Sequence, residues 1–425
     1  MTLLLGALLL MLLLRVPVFA AAGIASLVYC LDRGLPAAVI VQQLFDALDK
    51  FPILAVPFFV LAGNLMNSAG ITDRLYDFAQ DLVGHFKGGL GHVNVLGSVI
   101  FSGMSGTAMA DAAGLGTIEI KAMRDHGYDE DFAVGITAAS SVLGPIIPPS
   151  LPMIFYAIAA NVSVGALFVA GVVPGLLIAA ALHAYVWWVA GHKNFPIRGK
   201  ASAKQMLVSF VRAIPVLACP AIILGGIVFG LYTPTEAAVI ACMYAMAIGF
   251  FAYRSLTLRR FIEELRAAFL TTAVVMSMTA GAIVFGWVMV RENFASTFVG
   301  FMLQFASTPW ECMLLLNVVM LLLGMLLDPL PILLIFTPLV MPVLLKFGID
   351  PVQFGVVMTL NLMIGMMTPP IGALCFVLAR VSGIPLVRVF RACFPFYLPL
   401  GVVLLAISVF PTLTLWLPHL VFQGR

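Results

Sequence analysis

Apolar stretches of roughly 18 or more residues recur along the whole chain, separated by short polar segments. About 20 apolar residues in an α-helix cross the hydrocarbon core of a bilayer, whereas the strands of a membrane barrel alternate in polarity over about ten residues. The pattern therefore predicts an all-α polytopic membrane protein. Single crossings are predicted near residues 3–28, 52–70, 132–160, 164–191, 208–230, 235–253, 267–290, 354–379 and 395–418.

Two further apolar stretches, about 90–124 and 309–346, are too long for one crossing and contain a polar or Gly/Pro break at mid-length. We interpret each as a re-entrant helical hairpin that enters and leaves the membrane on the same side. Segments 36–50, 71–87 and 255–266 carry their charges on one face. This pattern is typical of helices that lie in the plane of the membrane interface.

The two hairpins belong to an internal repeat. Five predicted crossings separate them, and because this number is odd, the two copies must face opposite sides of the membrane. Inverted repeats of this kind are the architecture of many secondary transporters. The matching residues, each pair 221 positions apart, are Gly103 and Gly324, Met104 and Met325, Gly127 and Gly348, Asp129 and Asp350, Ser140 and Asn361, Gly144 and Gly365, Pro148 and Pro369, and Pro149 and Pro370.

The repeat divides the chain into four parts. The first part is an N-terminal span with an interfacial arm, and the third is a set of connecting scaffold helices. The second and fourth parts are the two repeats, each with a hairpin and an interrupted crossing. The predicted boundaries are 1–51, 52–191, 192–253 and 254–425.

Composition supports the membrane assignment and excludes several classes of function. The chain has 425 residues, of which 62% are hydrophobic and 10% charged, and its mean hydropathy is +1.12. No polar segment is long enough for a nucleotide-binding domain, and no phosphate-binding loop motif occurs, so ATP is not expected to drive the protein directly. The scattered cysteines predict neither a transition-metal site nor a redox pair. The net charge of +3 is too small to indicate nucleic acid, and we expect no enzymatic activity.

The distribution of positive charge predicts the orientation, because Lys and Arg are concentrated in cytoplasmic loops. If the N-terminus is in the cytoplasm and the C-terminus in the periplasm, most of the Lys and Arg residues lie on the inner side. Arg15 then lies inside the first span. The predicted outer residues are Arg33, Lys50, Arg291, Lys346 and Arg425. The predicted inner residues are Arg74, Lys87, Lys121, Arg124, Lys193, Arg198, Lys200, Lys204, Arg212, Arg254, Arg259, Arg260, Arg266, Arg380, Arg388 and Arg391.

The hairpin breaks contain polar residues at membrane depth. The first break, over 102–107, is a run of Ser, Gly and Thr followed by Asp111; the second, over 324–331, contains Asp328. Backbone groups that leave a helix inside the membrane must be buried in protein or line a wet cavity, and an ionisable group there indicates function. The alternatives are a close helix contact through small residues for the first break and an N-terminal helix cap for Asp328.

Each hairpin is followed by a crossing that prolines interrupt, over 144–150 and 365–370. Proline lacks an amide hydrogen and displaces the carbonyl group four residues earlier, so we expect these helices to unwind and expose carbonyl oxygens. Such oxygens and a nearby hydroxyl suit Na⁺, and the ends of half-helices suit an anion. The alternative is a proline kink without a ligand.

Together these motifs resemble the large membrane subunit of tripartite ATP-independent periplasmic (TRAP) transporters, within the ion transporter superfamily. The resemblance covers essentially the whole chain. The motifs that carry it are Phe58–Gly63, Ser102–Asp111, Gly144–Ser150, Pro234–Ala238, Gly324–Pro331 and Gly365–Gly372.

The resemblance implies an elevator-type transporter, in which the hairpins and broken helices move against a scaffold of the remaining helices. Such proteins import organic acids such as sialic acid, sugar acids or dicarboxylates across the bacterial inner membrane, driven by a sodium gradient. The implied partners are a small membrane subunit of about four helices and a soluble periplasmic binding protein. Na⁺ is the coupling ion and no other cofactor is expected.

Carried onto this sequence, the resemblance implies two sodium sites and a substrate site. The first turn departs from the family pattern at Met104 and Thr107, and no arginine is placed to pair with a substrate carboxylate. The implied sodium-site residues are Ser105, Gly144 and Pro148 in the first repeat, and Gly324, Asp328, Gly365, Thr368 and Pro369 in the second. The implied substrate contacts are Ser102, Thr107, Ser150 and Asn361.

Two rival classes of function remain open from the sequence. One is a self-sufficient sodium/dicarboxylate symporter or sodium/proton antiporter of the same superfamily, which works without partners. The other is a channel or a purely structural membrane subunit, in which the paired, inverted breaks have no evident use.

Overall fold

Helices form all the regular secondary structure in the residues that the structure, a computed structural model, describes: 2–14, 16–193, 195–196 and 199–422. Within these residues, eight continuous helical stretches are long and apolar enough to cross a membrane. The prediction of an all-α polytopic membrane protein is therefore confirmed. Three residues used in the charge argument, Arg15, Arg198 and Arg425, lie outside the described part.

The first apolar stretch forms two helices, α1 (Thr2–Leu13) and α2 (Val18–Asp32), and not the single crossing predicted over 3–28. That prediction is wrong because Pro17, the residue that precedes α2, has no amide hydrogen to donate and disfavours helical geometry in the residue before it. α1 packs along α2, and Leu4 is fully buried. The two helices therefore form a short hairpin of their own.

The next helices contain the first re-entrant hairpin and the first broken crossing. The chain turns between α6 and α7, inside the stretch 90–124, and the helix is interrupted between α9 and α10, inside the stretch 132–160. Entry and exit of the hairpin on one side of the membrane stays a prediction. The elements are α3 (Ala37–Leu48), a 3-10 turn (Phe51–Leu54), α4 (Ala55–Ser68), α5 (Ile71–Val83), α6 (Gly89–Ser105), α7 (Ala108–Ala113), α8 (Leu115–Asp125), α9 (Glu130–Ser141), α10 (Leu151–Ala160) and α11 (Val164–His192).

The residues between the two units contain the longest described helix, α14, whose 34 residues extend about 51 Å. The interfacial helix predicted over 255–266 is not separate, because no glycine or proline occurs between Leu258 and Thr279 to end the helix. A β-carbon on Gly281 would lie 2.3 Å from the Phe19 carbonyl oxygen, so α2 and α14 meet through backbone. The elements are α12 (Ala203–Val228), α13 (Pro234–Ala247), a π segment (Ile248–Ala252), α14 (Leu258–Arg291) and α15 (Phe294–Phe305).

The second repeat follows a similar order, with one returning helix, α17, in place of α7 and α8. The chain turns between α16 and α17, inside the stretch 309–346, and the helix is interrupted between α18 and α19, inside the stretch 354–379. The last crossing, predicted over 395–418, is instead two helices, because Pro411 interrupts it. The elements are α16 (Pro309–Leu326), α17 (Pro329–Phe347), α18 (Pro351–Met366), α19 (Ala373–Ser382), α20 (Leu386–Cys393), a 3-10 turn (Phe394–Phe396), α21 (Tyr397–Val409) and α22 (Thr412–Phe422).

Each hairpin with its broken helix is called a unit below: the first unit is α6–α10 and the second unit is α16–α19. The units interlock across the repeat. α7, which follows the first hairpin turn, packs against α19, the last half-helix of the second unit. α10, the last half-helix of the first unit, packs against α17 of the second hairpin. The two sets of backbone breaks therefore belong to one packed body.

Candidate ion and substrate site

The turn of the first hairpin is only two residues long. α6 continues through Ser105, so the break is narrower than the predicted 102–107. Gly106 has φ +64°, a left-handed conformation that glycine adopts without strain. Thr107 then begins α7 by accepting a hydrogen bond from the Ala110 amide at 3.2 Å. The polar run thus reverses the chain and caps the returning helix.

This turn contacts the unwound segment of the first broken helix through backbone. The Leu151 amide donates to the Gly106 carbonyl at 3.3 Å. A β-carbon on Gly144 would lie 2.8 Å from the Thr107 carbonyl oxygen, and one on Gly106 would lie 2.8 Å from the Pro149 carbonyl oxygen. Glycine is required at both positions because side chains would separate the two segments.

The second unit has the equivalent contact. The Ile371 amide donates to the Met325 carbonyl at 3.3 Å. A β-carbon on Gly365 would lie 2.7 Å from the Gly324 carbonyl carbon, so these helices also touch through backbone. The peptide bonds Pro148–Pro149 and Pro369–Pro370 are both cis. Each unit therefore joins a hairpin turn to an unwound helix.

Ser105 is the predicted sodium ligand whose surroundings are most informative. Its Oγ is buried and has no hydrogen-bond partner among the described residues. Gly63 of α4 packs closely against it, since a β-carbon there would lie 3.6 Å from the Ser105 Cα. An unpaired buried hydroxyl is costly unless a ligand or water completes its bonding. Ser105 lies two residues before Thr107, whose carbonyl group is close to Gly144. The unpaired hydroxyl is therefore at the hairpin turn that contacts the unwound segment.

The predicted substrate contacts in the first unit make local hydrogen bonds. Ser102 Oγ donates to the Ser98 carbonyl within α6, and Ser102 is fully buried. Ser150 is the N-cap of α10: its Oγ donates to the Pro145 carbonyl and accepts from the Met153 amide at 3.2 Å. These bonds fix the two hydroxyls in place beside the turn and the unwound segment.

In the second unit, Asp328 is the N-cap of α17 and accepts a hydrogen bond from the Leu330 amide at 3.0 Å. Asp328 therefore caps a helix, which is the alternative to a sodium ligand, and the residue is also exposed. Thr368 Oγ1 donates to the Ile364 carbonyl at 2.7 Å, so its lone pairs remain available. Gly324 and Gly365 form the backbone contact between the hairpin and the broken helix. Asp328 follows Gly324 in the sequence, and Thr368 follows Gly365.

Asn361 lies away from solvent in α18. Its amide nitrogen donates to the Asn317 carbonyl at 2.9 Å and to Asn317 Oδ1 at 2.8 Å. Its own Oδ1 is buried and has no hydrogen-bond partner in the part of the chain that the structure describes. Asn317 in turn donates to Ser408 of α21 at 2.9 Å. Asn361 therefore links the broken helix to the hairpin, and one of its oxygens remains unpaired.

Sequence reasoning missed the matching polar cluster in the first unit. Asn94 of α6 donates to Glu119 of α8 at 2.5 Å and to Thr137 of α9 at 2.8 Å. Ser140 donates to Asn94 Oδ1 at 2.7 Å. The signal was available: Asn94 and Glu119 are 12 and 13 residues from Gly106, so a hairpin that turns there brings them opposite each other.

Two acids of this cluster are almost fully enclosed. Asp111 is 1% exposed and Glu119 is 2% exposed. One oxygen of each, Asp111 Oδ2 and Glu119 Oε1, has no hydrogen-bond partner within the described residues. No described Lys or Arg forms an ion pair with either acid. Buried acids without a cation partner favour the neutral form or a bound cation.

One end of the first unit carries ion pairs that join it to neighbouring elements. Arg388 of α20 contacts Asp131 at 2.5 Å and Glu130 at 3.1 Å, both at the start of α9. Lys193, which follows α11, contacts Asp129 at 2.6 Å. The hydrogen bond from Lys193 lowers the pKa of Asp129 below its usual value. These pairs connect the first broken helix to both repeats.

The chain is similar to proteins of known family. The family model described as tripartite ATP-independent periplasmic transporter, DctM component, matches residues 5–413. The chain is 46% identical over 398 residues to the sialic acid TRAP transporter large permease protein SiaM of Vibrio cholerae, covering 94% of this chain and 93% of that protein. It is 42% identical over 406 residues to the sialic acid TRAP transporter permease protein SiaT of Haemophilus influenzae, covering 95% of this chain and 66% of that longer protein.

Similarity also extends to a relative with another named substrate and to a solved structure. The chain is 37% identical over 377 residues to the C4-dicarboxylate TRAP transporter large permease protein DctM of Pseudomonas aeruginosa, covering 89% of this chain and 88% of that protein. The crystal structure of the Alcanivorax borkumensis YdaH transporter has a TM-score of 0.63 at 15% identity, covering 89% of this chain and 87% of that one. This second likeness is one of fold alone. By the family match and these relatives, the chain belongs to the DctM family of TRAP transporter large permeases.

Proposed function

We propose that the protein imports an organic acid across the bacterial inner membrane, driven by a sodium gradient. A periplasmic binding protein delivers the acid, and a separate small membrane subunit of about four helices completes the transporter. The observation that carries this proposal is the pair of interlocked units, each of which holds a hairpin turn against an unwound helix. Backbone breaks at membrane depth are retained where they line a binding site.

The proposed sodium sites use oxygen atoms that the fold leaves available. In the first unit, Ser105 Oγ and carbonyl groups of Gly144–Pro148 supply ligands; the unpaired state of Ser105 Oγ supports this assignment. In the second unit, Asp328, Thr368 and carbonyl groups between Gly324 and Pro369 do so. Na⁺ is a hard cation, and oxygen ligands replace its water shell at low cost.

The proposed substrate is an acid of the sialic acid class, since two of the similar proteins carry that substrate in their names. Its carboxylate lies near the hydroxyls of Ser102, Thr107 and Ser150, and a hydroxyl group of the substrate donates to the unpaired Oδ1 of Asn361. Selectivity then depends mainly on the binding protein, because few charged groups line this region. A dicarboxylate is the competing cargo, and the relative from Pseudomonas aeruginosa supports it.

In the proposed elevator mechanism, the two units move as one body against the scaffold. Sodium in the unwound segments stabilises the hairpin turns, so sodium and substrate strengthen each other's binding by the same factor. The body then moves when the site is full or empty. The backbone contacts between each turn and its broken helix support a rigid moving unit.

The test is uptake of radiolabelled sialic acid into proteoliposomes that contain the chain with its small membrane subunit. We expect accumulation only with an inward sodium gradient and with the binding protein present. Ser105→Ala should weaken sodium dependence without loss of membrane insertion. Sodium-independent accumulation would contradict the coupling, and accumulation by the chain alone would identify a self-sufficient symporter instead.

A further inference from the structure

The Met367 carbonyl is held by two side chains in the unwound segment of the second unit. Met367 ends α18 and is fully buried. Its carbonyl oxygen accepts a hydrogen bond from the Tyr397 hydroxyl at 2.8 Å and another from the Cys375 thiol at 3.2 Å. The last carbonyl groups of a helix lack partners within it, so these bonds satisfy a group that burial would otherwise penalise.

Both donors come from outside the turn that they hold. Tyr397 begins α21, and Cys375 lies in the first turn of α19. Thr368, the hydroxyl residue of this segment, directly follows Met367, and its own hydroxyl donates to the Ile364 carbonyl at 2.7 Å.

The carbonyl that matches Met367 in the first unit has no such side-chain donors. Ile146 is the residue 221 positions before Met367, and its carbonyl oxygen would lie 2.3 Å from a β-carbon on Gly171 of α11. The residues 221 positions before Tyr397 and Cys375 are Leu176 and Ile154, which cannot donate a hydrogen bond. Close packing against a glycine of α11 encloses the Ile146 carbonyl, whereas two side chains donate hydrogen bonds to the matching Met367 carbonyl.

We propose that Tyr397 is a positioning residue for the second sodium site, with Cys375 in a supporting role. The two hydrogen bonds fix the Met367 carbonyl, and with it the path of the chain from Met367 to Gly372. Thr368 and the other carbonyl groups of this segment are then already oriented before sodium binds. Sodium binding therefore restricts the chain less and is less unfavourable in conformational entropy. This inference rests on the sodium site of the proposed function and assigns a role to residues outside it.

The experiment measures sodium-dependent thermal stabilisation of the purified chain, with choline chloride keeping ionic strength constant. In Tyr397→Phe we expect the sodium concentration for half-maximal stabilisation to rise by about three- to tenfold, the effect of one lost hydrogen bond. Tyr244→Phe is the matched control, because its hydroxyl donates to the Pro215 carbonyl at 2.8 Å in the scaffold. It should leave sodium half-saturation unchanged.

The cysteine provides a second test that retains the fold. Cys375→Ser keeps a donor and should preserve sodium half-saturation, whereas Cys375→Ala removes the donor and should raise it by about twofold. Equal half-saturation in the wild type, Tyr397→Phe and Cys375→Ala would overturn the inference. A rise in Tyr244→Phe as large as in Tyr397→Phe would also overturn it, because the effect would then be one of general stability.

Hydrogen–deuterium exchange separates this inference from the sodium hypothesis itself. Without sodium, peptides that cover residues 364–374 should exchange faster in Tyr397→Phe than in the wild type, and Tyr244→Phe should not change them. If sodium does not stabilise the wild-type protein, the sodium coupling in the proposed function is contradicted. The exchange rates would still show whether Tyr397 fixes residues 364–374. Unchanged exchange in Tyr397→Phe would overturn the positioning role.

Discussion

The two units each join a hairpin to a broken helix but are enclosed in different ways. In the first unit, Gly106 and Ser150 are buried, and the unwound segment lies against a helix glycine. In the second unit, Leu326 is 51% exposed and Ile371 is 45% exposed, on the two sides of the backbone contact. The two units therefore share the path of the chain but differ at one matching carbonyl group, which is closely packed at Ile146 and hydrogen-bonded by side chains at Met367.

The largest effect should come from removing the space that the first unit requires. Gly171→Ala places a methyl group within 2.3 Å of the Ile146 carbonyl oxygen, where backbone must move. We expect a loss of about 3 kcal/mol of stability, measured as a lower melting temperature in detergent. Gly225→Ala is the control, because nothing lies within 4 Å of its β-carbon position in α12. Equal melting temperatures for the two variants would show that close packing against the Ile146 carbonyl does not stabilise the first unit.

A smaller effect is expected in the buried polar cluster. Asn94→Ala leaves Glu119 Oε2 without its donor and removes one of the two acceptors of the Ser140 hydroxyl, and it should cost about 2 kcal/mol. Asn317→Ala in the second unit should cost less, because Asn361 keeps its hydrogen bond to the main-chain carbonyl of residue 317. Thermal unfolding of both variants measures which one loses more stability. A larger loss in Asn317→Ala would show that the unpaired Glu119 does not add to the stability lost in Asn94→Ala.

The exposed turn of the second unit allows capping and sodium binding to be separated. Asp328→Asn keeps an oxygen that caps α17 and removes the charge, so stability without sodium should not change. If Asp328 binds sodium, half-saturation should rise about tenfold, about 1.4 kcal/mol. Asp350→Asn is the control, because Asp350 caps α18 by accepting from the Val352 amide at 2.7 Å. A sodium response identical to the wild type would leave Asp328 as a cap only.

The smallest effect concerns Asp129, which matches Asp350 in the repeat and has Lys193 as an additional partner. Because the native pKa of Asp129 is lowered, its contribution to stability is present above the ordinary pKa, about 3.9, and is lost as the pH falls through the lower native value. Both side chains are more than 40% exposed, so Asp129→Asn should cost less than about 0.5 kcal/mol at pH 7.

Melting temperatures at pH 7 and pH 3 check this prediction, with Glu263→Gln as a second exposed pair whose loss should be no larger. A difference between wild type and Asp129→Asn that persists unchanged at pH 3 would exclude the ion pair as its cause.

Much of the fold was predictable because its breaks are local in sequence. Glycine, proline and hydroxyl residues inside apolar stretches act on their own backbone, so the hairpins over 90–124 and 309–346 and the broken crossings that follow could be located. The errors arose where a break was judged by hydropathy alone. Pro17 and Pro411 divide apolar stretches that read as single crossings, and the charged start of α14 reads as a separate helix.

The candidate site was less predictable because its geometry depends on contacts distant in sequence. Ser105, Gly144 and Thr368 could be selected from their positions at the breaks. Nothing local indicates that Tyr397 reaches the carbonyl of Met367, 30 residues away. The pairing of Asn94 with Glu119 needed only a correct hairpin turn, since the two residues lie 12 and 13 positions from Gly106.

The length of α14 has a further consequence for the surrounding lipid. A rigid rod of about 51 Å exceeds the roughly 30 Å of hydrocarbon by several helical turns, so it either tilts or projects beyond one leaflet. Its backbone contact with α2 at Gly281 fixes the height at which a neighbouring helix sits on this rod. A change in bilayer thickness that tilts this rod would therefore also move α2.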